Sequence, residues 1–142
     1  MPTNAQFLLP VLALVAWTFV MWAWMYATRI PAMQAAKIDP QDAAWSKDAL
    51  GQRLPPQVRW KADNYNHLHE QPTIFYALMF FAALTGGADA TAMAMAWAYV
   101  GLRIVHSIVQ ATVNRIVVRF SIFMLASLVL LAFTAREAMR LL

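Results

Sequence analysis

Long apolar runs separated by short polar stretches set the pattern of this chain, and the runs carry the spacing of helices. The first, Phe7 to Ile30, is long enough to cross a bilayer. Pro10 lies near its start, where a missing N–H matters little. A second helix is expected to begin near Gln57, after Pro55 and Pro56, and to run to Leu84. Its first half is charged, and its second half, from Thr73, is apolar enough for hydrocarbon. Pro72 sits inside it and predicts a kink, because proline removes one backbone hydrogen bond and crowds the carbonyl of Leu68. Thr85 to Asp89 reads as a tight turn. A third helix follows from about Ala90 to Gln110, and a fourth from Ile116 to about Arg140, with Asn114 and Arg115 between them. The pattern predicts an all-α fold: an integral membrane four-helix bundle in up-down-up-down order. It forms one domain over residues 1–142, with helices at about 6–30, 57–84, 90–110 and 116–140.

Composition agrees. Hydrophobic residues make up 61% of the chain, where a soluble domain is nearer about half. With no cysteine there is no disulfide, no thiolate metal ligand and no cysteine nucleophile. Residues 1–6 carry no Lys or Arg, and the first run exceeds a signal-peptide core, so a retained transmembrane helix is expected. The net charge of +4 bears on orientation first. Lys37, Lys47, Arg53, Arg59 and Lys61 gather between helices one and two, and Arg115 and Arg119 between three and four, against Arg136 and Arg140 on the other side. Basic connections favour the cytoplasm, which predicts both termini outside; the expected setting is a bacterial inner membrane. The stretch from Pro31 to Pro56, with Asp42, Lys47 and Asp48, reads as a solvated loop or as a lid over a site. No interleaving of aromatic and basic residues suggests nucleic-acid binding.

Two polar faces stand out. On helix two, Arg59, Asp63, Asn66, His67 and Glu70 share one side of the helix. On helix three, Tyr99, Arg103, His106 and Gln110 recur at offsets 0, 4, 7 and 11. A charge at the centre of a spanning helix costs about 2.5–3.5 kcal/mol on insertion scales, so each is expected to find a partner. Glu70 and Arg103 lie about sixteen residues to either side of the tight turn and are expected to pair. Two readings stay open: the pair locks the bundle, or it frames a polar pocket with Arg119, His106, Gln110 and Asn66 that attracts an anion. His67 and His69 are two apart and diverge on a helix, so no metal site is expected.

The stretches NYNHLHEQPTIFYAL and WAYVGLRIVHSIVQATVNRIVVRF resemble the MAPEG family, the membrane-associated proteins of eicosanoid and glutathione metabolism that include microsomal glutathione transferases. The resemblance covers nearly the whole chain. It implies a homotrimer of four-helix subunits, with glutathione as cosubstrate bound between adjacent subunits at the cytoplasmic side. Glu70 and Arg103 match the family's glutamate and arginine, and Arg59 stands for an earlier arginine. His67 replaces the asparagine expected three residues before Glu70, and Asn66 falls one position early. His106 stands where eicosanoid-type members place a tyrosine. The binding set implied by the resemblance is Arg59, Asn66, His67, Glu70, Tyr99, Arg103 and His106. Arg119, with Arg115 as rival, matches the arginine that activates the thiol. The expected function is a membrane-bound glutathione-dependent transferase or peroxidase acting on a lipophilic electrophile or hydroperoxide. Membrane lipid and a small lipophilic substrate are the expected partners, with no nucleic acid and no metal. The alternative is a non-catalytic membrane protein of the same fold that binds a lipid or a protein partner. A small drug exporter would place an essential glutamate in helix one, which here has no acid.

Overall fold

A computed structural model describes residues 2–41 and 51–142. Asp42, Lys47 and Asp48 of the long connection lie outside the described residues. Within them the fold is helical: α1 (Asn4–Phe7), α2 (Leu9–Ala35), α3 (Pro56–His67), α4 (Gln71–Leu84), α5 (Ala90–Thr112) and α6 (Ile116–Leu141). Three stretches are long and apolar enough to cross a membrane: Asn4–Ala35, Ala90–Thr112 and Ile116–Leu141. The chain is an integral membrane protein.

Each helix end has a local cause. Thr3 and Gln6 form a reciprocal capping box on α1, and Pro10 falls in the first turn of α2. The first long helix was expected to stop at Ile30. It carries on through Pro31 to Ala35, because proline denies the helix a single hydrogen bond while the rest of the ladder persists. The stop comes at Lys37, which takes a left-handed φ of 51°. There the Lys37 N–H donates to Gln34 O at 3.1 Å and the Ile38 N–H to Met33 O at 3.0 Å, a Schellman motif. Ile38 is buried with Leu54 against Met33 and Val58, which fastens the start of the long connection to the base of α3.

The single kinked helix expected over 57–84 is two helices. Pro72 lies in the first turn of α4, and the break falls just before it, over Leu68 to Glu70. The last turn tightens as the His69 N–H donates to Asn66 O at 2.9 Å, and Glu70 then turns the chain with ψ of −100°. Proline both lacks an N–H and disfavours a helical residue before it, so the strain is released ahead of Pro72 as a full break.

Helix α5 is the hub. Ala92, Ala96, Tyr99 and Val100 are buried in one core with Leu14 and Met21 of α2, Phe75 and Met79 of α4, and Ala126, Leu130 and Phe133 of α6. The two alanines allow close helix approach, as small residues do in membranes. The outward faces are apolar: Phe19, Trp22 and Tyr26 on α2, and Val117, Phe120, Leu128 and Leu131 on α6, are exposed large hydrophobics. On α5 the polar residues Tyr99, Arg103, His106 and Gln110 turn inward, the arrangement suited to a lipid surround.

At one end of the molecule a clamp joins the α4–α5 turn to α6. Glu137, 1% exposed, is held by Arg136 and Arg140. Arg136 also reaches Asp89, the N-cap of α5, while Arg140 donates to Thr85 O at 2.9 Å and to Thr85 Oγ1 at 2.7 Å. Gly86 supplies a left-handed φ of 77°. The next residue, Gly87, sends its N–H to Ala82 O at 2.7 Å. A Cβ on Gly87 would run into the Glu137 carboxylate and stand 2.9 Å from an Arg140 nitrogen. Gly87→Ala is therefore expected to destabilise the detergent-solubilised protein by about 1–3 kcal/mol, the range of an overpacked site. Gly101 on α5 has nothing within 4 Å of a built Cβ, so Gly101→Ala is expected to stabilise by about 0.5–1 kcal/mol. Thermal unfolding of the two variants beside the parent checks both signs.

Candidate functional site

Helices α3, α5 and α6 meet around a polar cluster centred on Arg103. Its guanidinium is fully buried. One terminal nitrogen donates to His67 Nδ1 at 2.9 Å and to the His67 backbone carbonyl at 3.1 Å. That carbonyl belongs to the last residue of α3, where the break leaves it only a long backbone bond, 3.4 Å from the Glu70 N–H, so the helix end supplies an acceptor that an unbroken helix would have used. The imidazoles of His67 and His106 stack, with centroids 5.0 Å apart and planes at 19°. Phe123 of α6 closes the cluster: its ring lies edge-on to His67 at 5.4 Å and 5.8 Å from the Arg103 guanidinium carbon.

The expected Glu70–Arg103 pair does not form within the chain. The Glu70 side chain is 67% exposed, and the group that comes within 4 Å of its carboxylate among the described residues is the His67 imidazole, whose Nε2 stands 3.8 Å from Glu70 Oε2. The reason lies in the face that α3 turns inward. Lys61, Asn64 and Leu68, at i, i+3 and i+7, are buried. Arg59, Asp63, Asn66 and Glu70 point the other way and are exposed. Of the predicted stripe on this helix, His67 alone, on its flank, reaches the cluster. The stripe on α5 is brought together as expected: Tyr99, Arg103, His106 and Gln110 are all buried.

Several partners were not foreseen. Asn64 Nδ2 donates to Ser107 Oγ across α3 and α5. The Lys61 ammonium donates to Gln57 O at 2.9 Å and to Ala111 O at 3.3 Å, and sits 5.2 Å from the Trp24 ring centre. It thereby caps one of the last carbonyls of α5. Above Arg103, Tyr99 donates its hydroxyl to Gln71 Oε1 at 3.2 Å, and Gln71 Nε2 donates to Ser127 Oγ at 2.8 Å. Tyr99 also stacks on Phe75 at 4.7 Å. The signal for these contacts was present in the spacing, since Asn64 precedes His67 by three and Ser107 follows Arg103 by four. A helix that is polar on both sides, however, does not declare which side is inner.

What remains available in the cluster defines its chemistry. Among the described residues, Arg103 Nε and one terminal nitrogen, Arg119 Nε, His106 Nδ1, Gln110 Oε1 and Asn64 Oδ1 are buried without a hydrogen-bond partner. Arg119 gives its other bond to Asn114 Oδ1 at the start of α6. Arg115, the rival of Arg119, is exposed and caps α6 through its backbone alone. The donors come from two guanidinium groups, and among the described residues no buried carboxylate answers them: the one buried acid there, Glu137, belongs to the clamp. Such a set suits a ligand carrying carboxylates together with amide N–H groups.

A sequence profile of the MAPEG family matches residues 7–139. No curated protein and no solved structure matches the chain.

The Tyr99–Gln71–Ser127 bridge gives a direct test of the packing above Arg103. Gln71→Met leaves the buried Tyr99 hydroxyl without its acceptor and is expected to cost about 1–3 kcal/mol. The double variant Gln71→Met/Tyr99→Phe, which removes both groups, is expected to recover most of that loss. Chemical or thermal unfolding in detergent reads the cycle.

Proposed function

Because this chain belongs to the MAPEG family, we propose that it is a membrane-bound glutathione-dependent transferase or peroxidase acting on a lipophilic electrophile or hydroperoxide. The observation that carries the reading is the Arg103 guanidinium: fully buried, held by a neutral imidazole and a carbonyl, with two nitrogens still without partners. A buried cation of that kind gains most from an anion. Glutathione brings two carboxylates and two amide groups to a cluster that offers both donors and acceptors.

In this reading the chain acts as a homotrimer of four-helix subunits, with α3 and α4 together serving as the second span. Arg103 grips a carboxylate, and Gln110 and Asn64 accept from the peptide N–H groups. Tyr99, whose hydroxyl already donates to Gln71, and His106, stacked on His67, wall the site. Arg59, Asn66 and Glu70 project from the outer face of α3, where a neighbouring subunit would meet them, and Glu70 is the group suited to the ligand's ammonium. The bound thiol supplies the nucleophile, which is the thiolate. Arg119, at the start of α6, favours the charged sulfur over the neutral one; a shift of two pKa units corresponds to about 2.7 kcal/mol. The basic connections face the cytoplasm and the termini lie outside. An apolar groove between α2 and the α3–α4 break supports the lipophilic half of the reading. Val15, Phe19, Leu68 and Tyr76 line it, and Tyr65 and His69 add polar groups.

Isothermal calorimetry of the purified protein with glutathione is the test. Binding is expected at or below millimolar concentration, and Arg103→Gln is expected to weaken it by about 1.5–3 kcal/mol, the loss of a hydrogen bond to a charged group. Arg119→Ala is expected to retain most of the binding and to lower the thiolate absorbance of the complex. Absence of binding at millimolar glutathione overturns the enzyme reading.

A further inference from the structure

The contact between Arg103 and His67 fixes a proton. A guanidinium has donors only, so the imidazole nitrogen 2.9 Å from it offers a lone pair. His67 is then neutral with its proton on Nε2, the nitrogen that faces Glu70 Oε2 at 3.8 Å. A charged His67 would set an N–H against the N–H groups of Arg103. Arg103 and His106 from α5, Arg119 from α6 and, at 3.8 Å, Glu70 are the charged and titratable groups among the described residues that face it, and the two guanidinium groups make a further positive charge there unwelcome. The second hold on Arg103, the His67 carbonyl at 3.1 Å, comes from the same residue. One residue thus fixes both the position and the direction of the guanidinium.

We propose that His67 is a positioning residue: in its Nε2–H form it aims Arg103 at the anion, and protonation of His67 releases that aim. The inference rests on Arg103 being the anion-binding group, but the tautomer and its coupling to Arg103 are observable with no ligand present. It also sets the sign of a pH effect. A histidine that touched the anion itself would bind it more tightly in acid, as the ring gained charge. A histidine that acts through its lone pair on Arg103 gives the opposite: affinity is full while His67 is neutral and falls as pH drops through its titration.

Two measurements on the full chain in detergent test this. In nitrogen-15 NMR of histidine- and arginine-labelled protein, His67 is expected to show an unprotonated Nδ1 and a protonated Nε2 at neutral pH. The Arg103 side-chain signals are expected to move with the His67 titration and to stay still in His67→Asn. Calorimetry with glutathione then spans about pH 7.5 to 5, where the ligand's carboxylates remain ionised. The parent is expected to lose affinity about threefold or more in acid. His67→Ala is expected to bind weakly throughout. His67→Asn, whose Oδ1 accepts from Arg103 without titrating, is expected to restore most of the affinity and to flatten the pH dependence. An Nδ1–H tautomer at neutral pH, Arg103 signals indifferent to His67, or affinity that rises in acid would overturn the proposal. Absence of glutathione binding beside the expected tautomer and co-titration would instead overturn the enzyme reading and leave the His67–Arg103 coupling standing.

Discussion

A cation enclosed among helices with no acid at its side is the constraint around which this subunit is organised. Arg103 stands well inside a helix long enough to span a bilayer, and the group it leans on is an imidazole. Everything near it serves to make that placement tolerable. The chain breaks after His67 and so yields a carbonyl; Phe123 presents an aromatic face; Tyr99, Gln71 and Ser127 close the layer above with their own bonds. An ion pair would have neutralised the arginine and left it inert. A lone pair satisfies one nitrogen and keeps the positive charge available.

The opposite end of the molecule shows what a closed charge network looks like. Glu137 is as buried as Tyr99, yet two arginines hold its carboxylate, and those arginines in turn hold Asp89 and Thr85. The clamp ties the tight turn to the last helix and answers its buried carboxylate with two guanidinium groups. The two ends of α5 thus divide the labour: its N-terminal end is fastened by satisfied charges, and its C-terminal half carries unsatisfied ones.

Much of this was legible in the residues. The long apolar runs placed α2, α5 and α6, Pro72 placed the interruption, and the spacing of Tyr99, Arg103, His106 and Gln110 gave the inner face of α5. Two things were hidden. Helix α3 is polar on all sides, so its pattern held no clue that Lys61 and Asn64 turn inward while Glu70 turns out; that choice follows from Ser107 and the carbonyl of Ala111 waiting on α5. The pairing of Arg103 was misjudged for a related reason. Charge complementarity pointed to the nearest acid at equal depth, whereas the break before Pro72 swings that acid outward and offers an imidazole and a carbonyl instead.

The shortness of α4 reaches beyond the subunit itself. Its 14 residues make about 21 Å of helix, against about 30 Å for a hydrocarbon layer. Its outer side is apolar, with Ile74, Phe80, Phe81 and Leu84 exposed, so this flank wants oil but cannot fill the full thickness. The remaining depth falls to α3, whose outer side carries Arg59, Asp63 and Glu70. Charged groups there suit a headgroup layer or a protein neighbour rather than hydrocarbon, so along this flank the oily surface of the subunit stops at the broken turn.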